Sequence, residues 1–244
     1  MKVSVILSTY NEKGNVVPLL RELTKELEGK GFNDFEFVVI DDNSPDGTAA
    51  AVRELSKEIS SIRLFVRTDE KGLGSAVKRG IQEAGGDILV LMDTDFNHRP
   101  SDVPRLLEKA SEWDVSVGSR YIRGGWMESS WLRYYLSYFF NKFVQMVLGL
   151  KTTDNLSGFI AVKKAVLQNM NIEEIFRGFG EYHIPFAWIA HNMKLRIREI
   201  PVIYNDRTYG KSKFQPIENL INYTKTVFKV RAMARERQLE KQAV

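Results

Sequence analysis

The chain is 244 residues long, 43% hydrophobic and 27% charged, which suits one large α/β domain and excludes a disordered polypeptide. It has no cysteine, which excludes disulfides and thiolate metal sites and favours an intracellular setting. The net charge of +4 is mild, no uncharged apolar run is long enough to span a bilayer, and the apolar start Val3–Leu7 is too short for a signal peptide.

The first half alternates short apolar or β-branched runs with helical patterns. Strands are expected at Val3–Ser8, Phe35–Ile40, Ile62–Val66, Ile88–Met92 and Val115–Gly118. Helices are expected at about Val16–Glu28, Thr48–Ile59, Ser75–Ala84 and Val103–Glu112, with turn and helix-start signals at Gly47-Thr48, Gly72-Leu73-Gly74 and Pro100-Ser101. This alternation predicts βαβ units and a mostly parallel central sheet flanked by helices. Trp131–Leu150 is aromatic and aliphatic but interrupted by Arg133, Asn141, Lys142 and Gln145, so it reads as an amphipathic helix lying at an interface. Strand-rich segments follow at Ser157–Val162 and Leu195–Val202, then the polar loop Asn205–Lys213. The final helix, about Pro216–Leu239, has Ile217, Leu220, Ile221, Val227 and Phe228 on one face, with Lys225, Lys229, Arg231, Arg235 and Arg237 around it. Residues 1–215 are expected to form the α/β domain, and 216–244 a basic amphipathic C-terminal helix and tail.

The run Ile88-Leu89-Val90-Leu91-Met92-Asp93-Thr94-Asp95 is a buried strand ending in two carboxylates one residue apart. The carboxyl ends of strands in an open α/β sheet border the ligand crevice, and paired carboxylates there can hold a hard divalent cation with phosphate oxygens. The second strand ends in Asp41-Asp42-Asn43-Ser44-Pro45-Asp46, where an acid can accept from ribose hydroxyls or a base edge. Asn43, Ser44 and Asp46 also suit a plain Asx-turn and helix cap. The first strand ends Ser8-Thr9-Tyr10-Asn11-Glu12, so three strand ends converge on one crevice. Gly72-Leu73-Gly74-Ser75-Ala76 lacks the spacing of a phosphate loop and suits either a close approach to a nucleoside or a helix start.

Together with Asn97-His98-Arg99-Pro100, Val117-Gly118-Ser119-Arg120-Tyr121, Asp154-Asn155-Leu156-Ser157-Gly158-Phe159 and Arg207-Thr208-Tyr209-Gly210-Lys211-Ser212-Lys213, these segments occur in family order over about residues 3–213. The chain resembles the family 2 glycosyltransferases of the GT-A fold, and more narrowly their dolichol-phosphate mannose synthase-like members. The resemblance implies a nucleotide-diphospho-sugar transferase fold. It also implies inverting transfer of a hexose, mannose favoured, from a nucleotide-diphosphate sugar such as GDP-mannose to a polyprenyl or dolichyl phosphate.

It further implies donor contacts from Thr9, Tyr10, Asn11, Glu12, Asp41, Asp42, Gly72, Asp93, Arg207 and Lys213. Mg2+ or Mn2+ is expected on Asp93, Asp95 and Asn97, and the acceptor phosphate on Arg120, Arg133 and Ser137. Asp95, Arg120 and Arg133 are the expected catalytic residues. The enzyme is expected on the cytoplasmic face of a membrane, with a membrane-anchored partner subunit standing in for a transmembrane segment. His98 is expected beside the metal loop, and His183 and His191 as structural residues.

The chain departs from the family pattern at Ser8 (often Pro), Thr94 (often Ala) and Asn97 (often Gln or Ser). It also departs at Ile160, where the family usually has Arg, and in Gly178–His183, which leaves the sugar open to UDP-glucose or another donor. A phosphate monoester is already largely dianionic at neutral pH and needs orientation rather than a general base. The leaving diphosphate needs cations.

An aspartyl-nucleophile phosphatase would carry its acidic motif on the first strand, and a receiver domain would not account for the second half. A non-catalytic subunit binding sugar nucleotide or lipid phosphate fits the altered Leu156–Ile160 segment but not the retained Asp93, Asp95, Arg207 and Lys213. Nucleic acid is not an expected partner, because an acidic crevice repels a phosphate backbone.

Overall fold

A computed structural model describes residues 1–178, 180–206 and 216–242, with side chains of the last helix described for residues 217–233. Strand β1 (Val3–Thr9) alternates its side chains between two apolar layers. Val3, Val5 and Leu7 enter one core cluster, and Ile6 enters the other. Helix α1 (Lys13–Gly29) covers the first layer with Val16, Leu19, Leu20, Leu23 and Leu27, spaced three and four apart. Strand β2 (Phe35–Asp41), helix α2 (Thr48–Leu55), strand β3 (Ile62–Val66), helix α3 (Leu73–Glu83) and strand β4 (Ile88–Met92) continue the alternation. On β4, Ile88, Val90 and Met92 face α1 and α4, whereas Leu89 and Leu91 face α3. Helix α3 lies close on the sheet because Gly80 has no side chain: a Cβ there would stand 2.3 Å from Ile6 Cγ2.

A 3-10 turn at Pro100–Asp102 leads into helix α4 (Val103–Glu112), followed by strand β5 (Val115–Ser119) and the short strand β6 (Trp126–Met127). Helix α5 (Trp131–Leu148) is capped by the Ser130 hydroxyl, which accepts the Arg133 N–H, and ends at Gly149 in the left-handed region (φ 67°). Strand β7 (Ile160–Lys163), short helices α6 (Lys164–Gln168) and α7 (Ile172–Ile175), helix α8 (His183–Asn192), strands β8 (Ile197–Pro201) and β9 (Ile203–Tyr204), and helix α9 (Pro216–Gln242) complete the described chain.

The seven-stranded sheet has the order β3-β2-β1-β4-β7-β5-β8, with β6 and β9 paired separately. All pairings in the large sheet are parallel except those of β7, which runs antiparallel to β4 and β5. The expected mostly parallel sheet flanked by helices is the observed one. Because β1 pairs with both β2 and β4, strand order reverses there. The registers Thr9↔Asp41 and Leu7↔Met92 bring three carboxyl ends to one edge.

The expected strand and helix positions match to within a few residues, with two kinds of difference. Helix α2 stops at Leu55 rather than Ile59, where residues 56–58 turn back toward β3. Helices α6, α7 and α8 and the short strands β6 and β9 fall outside the expected elements. A third apolar cluster joins Val144 and Leu148 of α5, Ile184 and Trp188 of α8, and Val227 and Val230 of α9. Outside it, α5 exposes Trp131, Leu136, Phe139 and Met146, and α9 exposes Ile217, Leu220, Ile221 and Phe228. Among the described residues, no helix is long and apolar enough to cross a membrane.

Candidate active site

The strand ends are built as tight turns. Asn11, Asn43 and Phe96 follow β1, β2 and β4 at positive φ (58°, 53° and 63°), a conformation that costs energy for a side chain as large as Phe96. Around Phe96 the turn is closed by Asp95, whose carboxylate accepts the Asn97 main-chain N–H at 3.1 Å and its side-chain amide at 2.7 Å. The same Asn97 amide nitrogen donates to the Tyr204 hydroxyl at 2.8 Å, which ties the acidic turn to β9. Asp95 is buried, while the Asp93 side chain is 36% exposed.

The two acids of the second strand end divide their work. Asp41 is fully buried and accepts from the Thr9 hydroxyl (2.8 Å), the Ser44 hydroxyl (2.6 Å) and the Ser44 N–H (2.9 Å). Asp42 borders the cavity and pairs with buried Arg67, while its other oxygen accepts the Gly72 N–H at 2.8 Å. Asp41 and Asn11, expected as donor contacts, are placed apart from the other strand-end residues. Neither borders the cavity, because Asp41 is enclosed by Thr9 and Ser44, and the Asn11 N–H turns to the Ser44 hydroxyl (2.9 Å). Thr9, Tyr10, Glu12, Asp42 and Gly72 do border it, and Lys71 stands 5.3 Å from the centre of the Tyr10 ring. Arg67, which fixes the Gly72 loop, was missed: it carries no local motif and meets Asp42 only through the fold.

Across the cavity, Arg120 follows β5. Its guanidinium holds Asp154 in a two-pronged pair, with Nε and Nη2 each 2.7 Å from a carboxylate oxygen. Asp154 is held in turn by the β8 residue Glu199, whose Oε1 accepts from the Thr153 N–H (2.9 Å), the Thr153 hydroxyl (2.7 Å) and the Asp154 N–H (3.1 Å). Burial works against the Arg120 charge, but Asp154 outweighs it and holds the guanidinium protonated beyond its ordinary range. Arg120 is thus a positioned buried cation rather than a solvated one. Ser137, on α5, accepts from the Tyr121 hydroxyl at 2.7 Å, and Arg133 is half exposed, 3.9 Å from Asp206.

Between these two groups lie two histidines. His98 accepts the Asp93 N–H on Nδ1 at 3.2 Å and stacks on Phe159 with ring centres 4.7 Å apart. Burial keeps it neutral, moving it down to about 4, with Asp95 opposing and Arg120 assisting. His183 is also buried and neutral, moved down to about 3 by burial, His98 and Arg120. Tyr204 is pushed well up by burial and by Asp93 and Asp95, and Tyr223 up to about 12 by burial and Glu181, so both keep their hydroxyl protons.

One cavity of about 1440 Å³ joins all of this. Its acidic end holds Asp93, Asp95, Asn97 and Asp42; its middle holds His98, His183 and Arg120. Beyond Arg133 and Ser137 it continues as an apolar groove between α5 and α9, bordered by Leu136, Phe140, Phe143, Leu220 and Tyr223. The expected donor, metal and acceptor residues thus share one space, apart from Asp41 and Asn11. Arg207 and Lys213 lie outside the described residues. No cluster of three or more His, Asp or Glu side chains able to hold a metal occurs among the described residues. The donor set still fits a hard divalent cation. Asp93 and Asp95 offer carboxylate oxygens beside the side-chain amide of Asn97, and such ions leave several positions to water or phosphate oxygens.

The chain is 34% identical over 241 residues to a dolichol-phosphate mannosyltransferase of Pyrococcus furiosus, an alignment covering 94% of this chain and 64% of that relative. It is 32% identical over 219 residues to an undecaprenyl-phosphate mannosyltransferase of Micrococcus luteus, covering 87% of each. Glucosyl-3-phosphoglycerate synthase from Mycobacterium tuberculosis, solved with Mn2+, UDP-glucose and phosphoglyceric acid, superposes with a TM-score of 0.68 at 18% identity. That match covers 95% of this chain and 80% of the synthase, and shows a shared GT-A architecture. The family model for glycosyl transferase family 2 matches residues 4–170, and the chain belongs to that family.

Proposed function

We propose that the protein transfers mannose, with inversion, from GDP-mannose to a polyprenyl phosphate at a membrane surface. The observation that carries this reading is the single cavity that runs from the acidic strand ends, past Arg120, into an apolar groove open at α5 and α9. A sugar nucleotide suits the first part and a phosphate on a long apolar tail suits the second. The names of the relatives support the same pair of substrates.

In this reading the donor nucleoside lies along Thr9, Tyr10, Asp42 and Gly72, with Arg67 keeping the Gly72 loop in place. Asp93 and Asp95, with Asn97, would hold Mg2+ or Mn2+, which when bound neutralises charge on the leaving diphosphate. Arg120 and Arg133 orient the acceptor phosphate, whose dianion attacks the anomeric carbon on the face opposite the leaving group. No side chain has to remove a proton, consistent with His98 and His183 being buried and neutral. The exposed apolar faces of α5 and α9 rest on the cytoplasmic surface of the bilayer that holds the lipid, and a membrane-anchored subunit would strengthen that attachment.

The test is a panel of GDP- and UDP-sugars with polyprenyl phosphate in vesicles, with Mg2+, Mn2+ or chelator, and lipid products read by mass spectrometry. Mannosyl-phospho-polyprenol formed from GDP-mannose and lost with chelator is the expected result. A hexose from another donor would change the sugar, and no lipid product with any donor would remove the reading.

A further inference from the structure

His183 opens α8 and is 9% exposed, yet its imidazole borders the cavity with no hydrogen bond to another described residue. The ring nitrogens are not sealed in the core; they open on the cavity, where a ligand can supply the missing partner. His98, its neighbour, has a partner in the Asp93 N–H; His183 does not. The ring is fixed nonetheless. It packs on Tyr182 with ring centres 3.9 Å apart, and its Cε1–Nε2 edge faces the main chain at Gly158. A Cβ at Gly158 would stand 3.2 Å from both of those atoms and 3.8 Å from His98 Cε1, so the glycine keeps that edge uncrowded.

The surroundings define what fits. Gly158 adjoins both His183 and His98, the latter accepting the Asp93 N–H, and Arg120 borders the same cavity. His183 thus lines the interval shared by the groups assigned to the leaving diphosphate and those assigned to the acceptor phosphate. That interval must hold the transferred sugar. A neutral imidazole has one donor and one acceptor nitrogen, and a sugar hydroxyl also both donates and accepts. An anion at this point would instead be drawn to Arg120.

We propose that His183 is a specificity-determining residue that hydrogen-bonds a hydroxyl of the donor's hexose. This rests on the reading of the cavity as a nucleotide-sugar site. It revises the sequence-based expectation that His183 is structural, and it gives the unusual Gly178–His183 segment a role in sugar choice. A site built to bond a hydroxyl rejects the analogue lacking it far more strongly than a plain apolar wall does, because its own polar group is then left unpaired.

The test uses the full chain with His183→Phe, which keeps an aromatic ring but no ring nitrogen, and His183→Gln, which keeps a donor and an acceptor. Circular dichroism and thermal melting check that both are folded. Transfer kinetics are measured with the intact nucleotide sugar and with donors lacking one hydroxyl at a time, and calorimetry gives the affinity for the nucleoside diphosphate alone. His183→Phe is expected to lower kcat/KM for the intact donor roughly 10- to 100-fold, with nucleoside diphosphate affinity unchanged. His183→Gln should recover part of the loss. One deoxy donor should lose a similar factor with the wild type and nothing further with His183→Phe. If all deoxy donors lose the same additional factor in the variant as in the wild type, or if nucleoside diphosphate affinity falls equally, His183 does not read the sugar. A wild-type enzyme that transfers normally while His183→Phe matches it overturns only this inference. A wild type that transfers from no nucleotide sugar overturns the function and this inference together.

Discussion

Asp95 is enclosed by the Asn97 N–H and amide, so its carboxylate is held at one orientation before any ligand arrives. Asp95→Asn should nearly abolish transfer and remove the metal dependence of donor binding, since a neutral amide is a poor ligand for a hard cation. Calorimetry of GDP-mannose with and without Mg2+ checks this, and unchanged metal dependence in a folded variant would remove the assignment. Arg133 is half exposed and pairs only loosely with Asp206, so Arg133→Ala should leave stability almost unchanged. It should raise the KM for lipid phosphate by about tenfold, the worth of one charge-assisted hydrogen bond, and leave GDP-mannose affinity intact. An equal loss in both would take Arg133 out of the acceptor site.

Asp154 shows the opposite balance. Its side chain is fully buried, and its removal strands the Arg120 charge, so Asp154→Ala should cost about 3–5 kcal/mol in urea unfolding. At this scale the sequence disclosed the acids but not their directions. Asp41 and Asp42 are adjacent on a strand end, where successive side chains point to opposite sides, and the motif alone does not say which faces the ligand. Arg67 and Glu199 act through contacts between distant segments and carry no local signature, and the recognisable Asp154 segment does not disclose its pairing with Arg120.

The strands and the helices with one apolar stripe were legible because their burial follows a simple period. In α1, Val16, Leu19, Leu20, Leu23 and Leu27 mark one face, and β4 is a continuous apolar run because both of its faces are covered. Helix α8 was not legible for the same kind of reason. In His183-Ile184-Pro185-Phe186-Ala187-Trp188-Ile189-Ala190, apolar residues lie all round because the helix is wedged between two clusters, so no polar face sets a period.

Helix α5 presents its apolar residues to both the cavity and the outside. Leu136 borders the groove and is 62% exposed. With the helix lying on a bilayer, Leu136→Asp should weaken vesicle binding by roughly tenfold or more, from the loss of one buried leucine's 1.5–3 kcal/mol. Vesicle co-sedimentation measures this, with a short-chain water-soluble acceptor as the control for an intact site. Equal binding by the variant and the wild type would mean that this face does not meet the membrane.

The molecule as a whole carries an acid sensitivity set by its buried histidines. In the unfolded chain both titrate near 6.5, whereas in the fold His98 sits at about 4 and His183 at about 3. The unfolded state therefore binds more protons over that interval, and stability falls as pH drops from about 6.5 toward 4 and 3. Glu36 adds to the loss at lower pH. Burial opposes its ionisation, but hydrogen bonds from Ser4, the Gly85 N–H and Arg63 still hold it below 4.5, and protonation forfeits them. Urea midpoints measured from pH 7 to 4 should decline, and His183→Phe should flatten that decline by removing one of the two protons. A flat wild-type profile would mean that the imidazoles are hydrated in solution.

The reversed strand β7 bears on how the chain is made. The four strands β3, β2, β1 and β4 can assemble from the first ninety or so residues through local βαβ pairings, whereas both neighbours of β5 lie later in the chain. Until Ile160–Lys163 leaves the ribosome, β4 offers its apolar Ile88–Met92 row as an open edge, the kind of edge that pairs with other unfinished chains. A single four-residue strand thus closes the sheet from the middle, and a nascent polypeptide paused between β5 and β7 passes through its most aggregation-prone state.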